Sequence, residues 1–186
     1  MQQKIYVSLE FTPNPNTLKY SVNITLLEKG AKNYTRAKEA LEESPLAAKL
    51  FEIEGICGVM IGRNFITISK TEEGDWEQVH KKASSLIETF LSAGEKPLNE
   101  TATEGGHKGG GSEIENKIRE ILDKEIRPAV AMDGGDITFD HFDNGIVYLE
   151  LQGACSGCPS STMTLKMGIE TRLREQIPEV REVVSI

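Results

Sequence analysis

The chain has 186 residues, of which 38% are hydrophobic and 27% are charged, and its formal net charge at pH 7 is -8. This composition is ordinary for a globular protein of one or two domains. It holds no apolar run near the roughly 20 residues that a membrane helix needs, so we expect no membrane interaction. Its first residues show no signal or transit peptide character, and we expect a bacterial-like, cytoplasmic location.

The negative charge is concentrated in the C-terminal part of the chain. Residues 113–186 carry 8 basic and 14 acidic residues, a net charge of -6, whereas residues 1–93 carry 11 and 12. A nucleic-acid surface needs clustered Lys and Arg, so the charge distribution argues against nucleic-acid binding. We interpret the acidity first as a solubility feature, with attraction of basic partners or cations as the alternative.

Residues 1–93 are predicted to form a mixed domain with the order strand, strand, helix, strand, strand, helix. A turn sequence at residues 12–16 separates the first two strands, and Ser44 is a candidate cap for a helix that starts at Pro45. The predicted strands are residues 5–11, 18–24, 56–61 and 65–69, and the predicted helical segments are residues 35–51 and 75–91.

Residues 94–112 are rich in glycine and contain almost no apolar side chains. Such a segment buries too little surface to offset the entropy of ordering it, so we predict a flexible linker. His107, the lone histidine of this segment, is interpreted as a solvated linker residue.

Residues 113–186 are predicted to form a second domain with the order helix, strand, strand, helix, strand. Ser112 is a candidate cap for the first helix, which we expect to end before Arg127-Pro128. The hairpin is predicted around Asp143-Asn144-Gly145, the second helix from Pro159 and the last strand over residues 180–186. The fold class predicted for the whole chain is α+β, in two small mixed domains joined by a linker.

Two of the three cysteines, Cys155 and Cys158, lie two residues apart in the sequence Gly-Ala-Cys-Ser-Gly-Cys-Pro. Few cysteines and no disulfide framework indicate a reducing compartment, where C-x-x-C is typical of metal binding or redox chemistry. An iron-sulfur cluster or a closed zinc site takes about four ligands, so one chain offers half a site. Three explanations of the pair are open. A second copy of the chain could supply the missing ligands, Cys57 and other side chains could supply them, or the pair could be a dithiol with redox chemistry and no metal.

The predicted position of the pair, just before a helix, is expected to make thiolates easier to form. A thioredoxin-like dithiol-disulfide oxidoreductase is therefore one alternative. That family usually has an aromatic residue before the first cysteine and a proline inside the motif, whereas here Ala154 precedes the first cysteine and Pro159 follows the motif. A zinc-binding interaction module is the other, but the nearest further ligand, His141, is predicted to be a polar strand residue.

Short motifs in both domains resemble those of a known family. In the second domain they are Ile126-Arg127-Pro128, Met132-Asp133-Gly134-Gly135-Asp136, the run Leu151 to Ser161, Thr164-Leu165-Lys166 and Ile177-Pro178-Glu179-Val180. In the first domain they are Thr12-Pro-Asn-Pro15, Leu18-Lys19, Ser44-Pro45-Leu46-Ala47, Leu50-Phe51, Ile53-Glu54-Gly55-Ile56 and Phe65-Ile66-Thr67. Through these motifs the chain from Ile114 to Ile186 resembles the NifU C-terminal domain of Nfu-type iron-sulfur proteins, and the first domain resembles the Nfu N-terminal domain.

This resemblance implies a scaffold or carrier for a 4Fe-4S cluster, rather than an enzyme. It implies that Cys155 and Cys158 are the cluster ligands, with one cluster bridged by a homodimer, and it leaves a 2Fe-2S form open. The implied partners are a second copy of the chain, upstream cluster assembly proteins and apo iron-sulfur clients. The N-terminal domain has no catalytic constellation and is interpreted as an interaction module, with a purely stabilising role as the alternative.

Cys57, the segment Asp133 to Asp136 and two methionines also receive interpretations from the sequence. Cys57 is interpreted as a packing residue or a surface thiol, and Asp133 to Asp136 as a turn into a strand rather than a cation site. Met163 and Met167 lie on one side of the helix predicted from Pro159, opposite Leu165 and Ile169. For these two methionines, contact with the core is favoured slightly over a surface that faces another protein.

Overall fold

The computed structural model describes residues 4–99, 112–156 and 159–186. The chain divides into two compact units, Met1–Gly106 and His107–Ile186, each with its own sheet and hydrophobic core. The α+β class with two domains, predicted from the sequence, is confirmed. Within the described ranges, no helix has both the length and the apolar character needed to span a bilayer.

The N-terminal unit is a five-stranded antiparallel sheet packed against three helices. Its strands follow the spatial order β1-β2-β5-β4-β3. Their bounds are β1 Val7–Phe11, β2 Thr17–Val22, β3 Lys32–Tyr34, β4 Ile56–Ile61 and β5 Phe65–Lys70, and the helices are α1 Ala37–Glu43, α2 Pro45–Phe51 and α3 Trp76–Ser92.

Local signals account for most of this unit. Ser44 caps α2 as predicted, because its hydroxyl accepts a hydrogen bond from the Ala47 N–H at 3.0 Å. Strand β3 was not predicted, since three residues are too few to show a periodic pattern. It pairs with β4 at the edge of the sheet.

The core of the N-terminal unit includes a residue beyond the boundary predicted at residue 93. Leu98 is 4% exposed and belongs to the core of this unit, and the Asn99 N–H donates to the Glu43 carbonyl at 2.8 Å. The first residues of the predicted linker therefore pack, because Leu98 supplies the apolar surface that the rest lacks. Residues 100–111 lie outside the described residues, so the linker itself stays a prediction.

The C-terminal unit is a three-stranded sheet with helices that pack on it. Strand β7 lies in the middle, antiparallel to β6 and parallel to β8. The elements are α4 Glu113–Ile121, α5 Arg127–Met132, β6 Gly135–Asp143, β7 Ile146–Gly153, α6 Pro159–Gln176 and β8 Glu182–Ser185.

The sequence predicted that the first helical segment of this unit ends before Arg127-Pro128. In the structure the helical segment continues past these residues. A π-helical turn, Leu122–Ile126, joins α4 to α5, and the Arg127 N–H donates to the Leu122 carbonyl. Pro128 lies in the first turn of α5, where a missing N–H is tolerated. The widened turn therefore carries the chain past the proline and brings α5 to the start of β6.

Candidate metal-binding site

The segment that joins β7 to α6, residues 154–158, is called the cysteine loop, because it contains Cys155 and Cys158. Gly153, the last residue of that strand, pairs with Gly135 of β6 and has a φ of +63°, a left-handed conformation that favours glycine. The Ser156 N–H donates to the Gly153 carbonyl at 3.1 Å, which closes a tight turn. Helix α6 begins at Pro159, so the predicted place of the loop, between strand and helix, is confirmed.

Cys155 is 6% exposed and lies in a position built by backbone contacts. The Ala154 N–H donates to the Gly134 carbonyl at 3.1 Å, and the Thr162 hydroxyl donates to the Cys155 carbonyl at 3.2 Å. A Cβ atom added to Gly135 would lie 2.4 Å from the Cys155 Sγ. Glycine at position 135 thus makes room for the thiol. Cys158 lies outside the described residues.

The thiol of Cys155 is harder to ionise than the sequence suggested. Burial raises the pKa of Cys155 to about 11, and the carboxylates of Asp133 and Asp136 act in the same direction. The expectation that the helix start would ease thiolate formation is therefore wrong for Cys155, because desolvation outweighs it. A protonated, buried thiol is also a poor nucleophile for disulfide exchange.

A buried ion pair, Arg127 with Asp136, lies next to the turn that leads into β6. The Arg127 Nε and Nη2 donate to the two carboxylate oxygens of Asp136 at 2.9 and 2.6 Å, and Asp136 is 5% exposed. Such a bidentate pair holds the start of α5 against the start of β6. Sequence reasoning did not assign this role to Arg127, since the partners are nine residues apart and no periodic pattern links them.

The segment from Asp133 to Asp136 is a turn, as predicted. The N–H groups of Asp133 and Gly134 donate to carbonyls of α5 at 3.1 Å, and Gly134 has a φ of +78°. The Asp136 carboxylate is engaged by Arg127 and not by a cation-binding arrangement.

The other candidate ligands, His141 and Cys57, each lie on a strand. His141 is an exposed residue of β6 whose ring stacks on Tyr148 with 4.1 Å between ring centroids, which confirms a polar strand residue. Cys57 is an exposed residue of β4, in the other unit, and its Sγ donates to the Ser69 carbonyl at 3.5 Å. Among the described residues, no three His, Cys, Asp or Glu side chains converge to hold a metal ion.

The two methionines of α6 are exposed rather than buried. Met163 is 67% exposed and Met167 is 65% exposed, so the interpretation as core residues is wrong. The core-facing positions of α6 are instead Ile169 and Leu173. A spacing of four residues places both methionines on one face, but sequence alone did not determine which face the sheet would cover.

A two-domain α+β chain with a buried cysteine in a C-x-x-C loop before a helix has an arrangement that is typical of proteins that bind metals through thiolates. Comparison with known families defines it further. Residues 118–184 match the NifU-like domain, and residues 7–94 match the domain described as scaffold protein Nfu/NifU N terminal. The chain therefore belongs to the Nfu/NifU family.

Individual relatives match along the whole chain. A human protein is 40% identical over 185 residues, which cover 98% of this chain and 72% of the relative, and one from Drosophila virilis is 38% identical over 187 residues, all of this chain and 63% of the relative. Both are named NFU1 iron-sulfur cluster scaffold homolog, mitochondrial. The chain thus spans less than two thirds of the length of the fruit-fly relative.

One solved structure that matches part of the chain is the solution NMR structure of a NifU-like protein from Saccharomyces cerevisiae. Its sequence is 25% identical, the TM-score is 0.48, and the match covers 54% of this chain and 90% of the yeast chain.

Proposed function

We propose that this protein is a non-catalytic scaffold or carrier for an iron-sulfur cluster. The cluster is of the 4Fe-4S type, bound between two copies of the chain through Cys155 and Cys158 of each, and delivered to apo-protein clients. The observation that carries the proposal is the geometry of Cys155, a buried thiol held in a loop that opens into the start of α6. The names of the relatives, which are iron-sulfur cluster scaffold homologs, support it.

The number of ligands favours a shared cluster. A 4Fe-4S cluster takes about four thiolates, and one C-x-x-C loop supplies two. The described residues bring no further set of ligands to one place, and Cys57 belongs to the other compact unit. Two copies related by a two-fold axis would supply four equivalent thiolates.

Delivery on this proposal is ligand substitution. Each bond from iron to Cys155 or Cys158 breaks as a bond to an acceptor thiolate forms. The donor sulfur takes up the proton that the acceptor thiol gives up, so charge and protons balance and the iron keeps its oxidation state. A cluster held at the contact of two chains is open to such exchange, because either half of the site can withdraw.

The N-terminal domain is proposed to bind clients. The linker, if flexible as its composition predicts, would keep a bound client at a high effective concentration near the cluster. Loss of residues 1–94 should then leave cluster binding intact and slow delivery to some clients. Unchanged delivery to every client would contradict this role. The cytoplasmic location also stays a prediction.

Anaerobic reconstitution with iron and sulfide tests the proposal. We expect about four irons and four sulfides per dimer. Cys155→Ala and Cys158→Ala should each abolish both the visible absorption and the dimer, whereas Cys57→Ala serves as the matched control and should retain both. Transfer to an apo-ferredoxin, followed by its circular dichroism, tests delivery. Protein that takes up zinc as a monomer, or that reduces insulin disulfides rapidly, contradicts the proposal.

A further inference from the structure

The first turns of α6 carry a solvent-exposed surface without charge. Five residues point away from the core here, and we call them the outer face of α6: Met163, Thr164, Met167, Gly168 and Thr171. They lie opposite Ile169 and Leu173, which are buried in the core. At 1.5 Å per residue the outer face is about 12 Å long.

The outer face is unusual for the unit that bears it. Residues 113–186 have a net charge of -6, yet the five residues of the outer face carry no charge, and the charged residues Lys166, Glu170 and Arg172 lie at its borders. Exposed methionines on an uncharged strip of a helix are typical of surfaces that contact another protein.

Gly168 is a second, independent indication that the outer face of α6 contacts another chain. Glycine in a helix interior is unfavourable, and here no backbone requirement explains it, because Gly168 does not have a positive φ. A Cβ atom at this position would meet nothing within 4 Å in its own chain. The missing side chain therefore leaves space for close approach by a backbone from outside.

The outer face begins beside the cysteine loop. Thr162, which donates to the Cys155 carbonyl, directly precedes Met163. A further exposed methionine, Met132, lies near the same loop, since it is 76% exposed and stands two residues before Gly134, whose carbonyl accepts from the Ala154 N–H. Whatever docks on these methionines must come close to Cys155.

We propose that a second copy of this chain docks here, so that two α6 helices pack outer face against outer face, with Gly168 inside the contact and the bridging cluster at the N-terminal end of both helices. This inference rests on the proposed function, in which the site is incomplete without a second copy. A two-fold contact places each surface against its own equivalent. A charge-free face allows that contact between two acidic domains without repulsion, whereas a carrier surface for basic clients would be expected to use the acidic charge of this unit.

Sedimentation velocity of the anaerobically reconstituted, full-length protein tests this. The double variant Met163→Glu/Met167→Glu and the variant Gly168→Leu should each raise the dissociation constant of the dimer by about tenfold or more. Leu41→Glu is the matched control, because Leu41 is 68% exposed in α1 of the other unit. It should leave the dimer unchanged.

The variant Gly168→Ala distinguishes an effect on the dimer contact from an effect on the stability of the C-terminal unit. Alanine favours the helix and meets no atom of its own chain, so the melting temperature of the C-terminal unit should rise while the dimer weakens. Wild-type protein that binds no cluster contradicts the proposed function, and this inference with it. A wild-type cluster-bound dimer that all three α6 variants leave as tight as Leu41→Glu overturns this inference alone. Variants that keep the dimer and lose only transfer to apo-ferredoxin also overturn it, since the occupant would then be the client.

Discussion

Replacing Asp136 by asparagine should destabilise the C-terminal unit strongly. The substitution keeps the shape of the side chain and removes its charge, which leaves the guanidinium of Arg127 with one amide oxygen in place of two carboxylate oxygens. Those two hydrogen bonds are 2.9 and 2.6 Å long, and the side chains of Arg127 and Asp136 are 19% and 8% exposed. Breaking a buried ion pair of this kind leaves the charge of Arg127 with only the exposed carboxylate of Asp123 to compensate it.

The expected loss is about 3 kcal/mol, at the lower end of the range for buried pairs, because Arg127 retains some contact with water. For a unit of this size that loss corresponds to a fall of roughly 12–24 °C in melting temperature. Asp123→Asn is a control on the same arginine. Asp123 contacts the Arg127 Nη1 at 3.0 Å, and its side chain is 45% exposed, so its loss should cost about 0.5 kcal/mol.

Hydrogen exchange followed by mass spectrometry assigns the effect to its unit. Amides of β6 and β7 in Asp136→Asn should exchange about a hundredfold faster if they open by unfolding of the unit, since 1.4 kcal/mol is a factor of ten. Amides of β2 and β5 should not change. The interpretation of Asp136 as a buried structural partner is refuted if Asp136→Asn and Asp123→Asn lose the same stability.

Three further predictions concern the thiol, its neighbour and the N-terminal unit. Alkylation of Cys155 by iodoacetamide in the cluster-free protein should be slow at pH 7 and reach half its maximal rate near pH 11, because the buried thiol stays protonated below that pH; a midpoint near pH 8 would contradict the burial. Gly135→Ala should cost about 1–3 kcal/mol and reduce iron uptake, because the new Cβ would lie 2.4 Å from the Cys155 Sγ; normal uptake would show that the thiol position is not fixed. Ser44→Ala should cost about 2 kcal/mol in the N-terminal unit alone, since the hydroxyl caps α2 and donates to the Pro97 carbonyl at 2.6 Å. Thermal unfolding that shows no loss would contradict that role.

Local sequence signals account for most of the fold. The hairpin of β6 and β7 follows from alternating apolar residues around Asn144-Gly145, and Asn144 has a φ of +49° as such turns require. The start of α2 at Ser44-Pro45 follows from capping chemistry. These features depend on residues within a few positions of each other, so the sequence alone predicts them.

The features that sequence reasoning missed depend on contacts across the fold. The π-helical turn Leu122–Ile126 carries the chain past Pro128 into α5, which contacts β6, and no periodic pattern in the sequence marks it. The pKa of Cys155 depends on burial against Gly135, and the pattern of α6 does not reveal that Met163 and Met167 face solvent. The site was located by its motif, but its electrostatics required the structure.

Native mass spectrometry of the full-length protein, reconstituted and sprayed under anaerobic conditions, tests the central proposal most directly. We predict a species with the mass of two chains and one 4Fe-4S cluster, which is lost in Cys155→Ala and in Cys158→Ala and collapses to cluster-free single chains when the iron is chelated. A single chain that carries a whole cluster, or a dimer that keeps its mass and its cluster in either cysteine variant, would contradict the shared site.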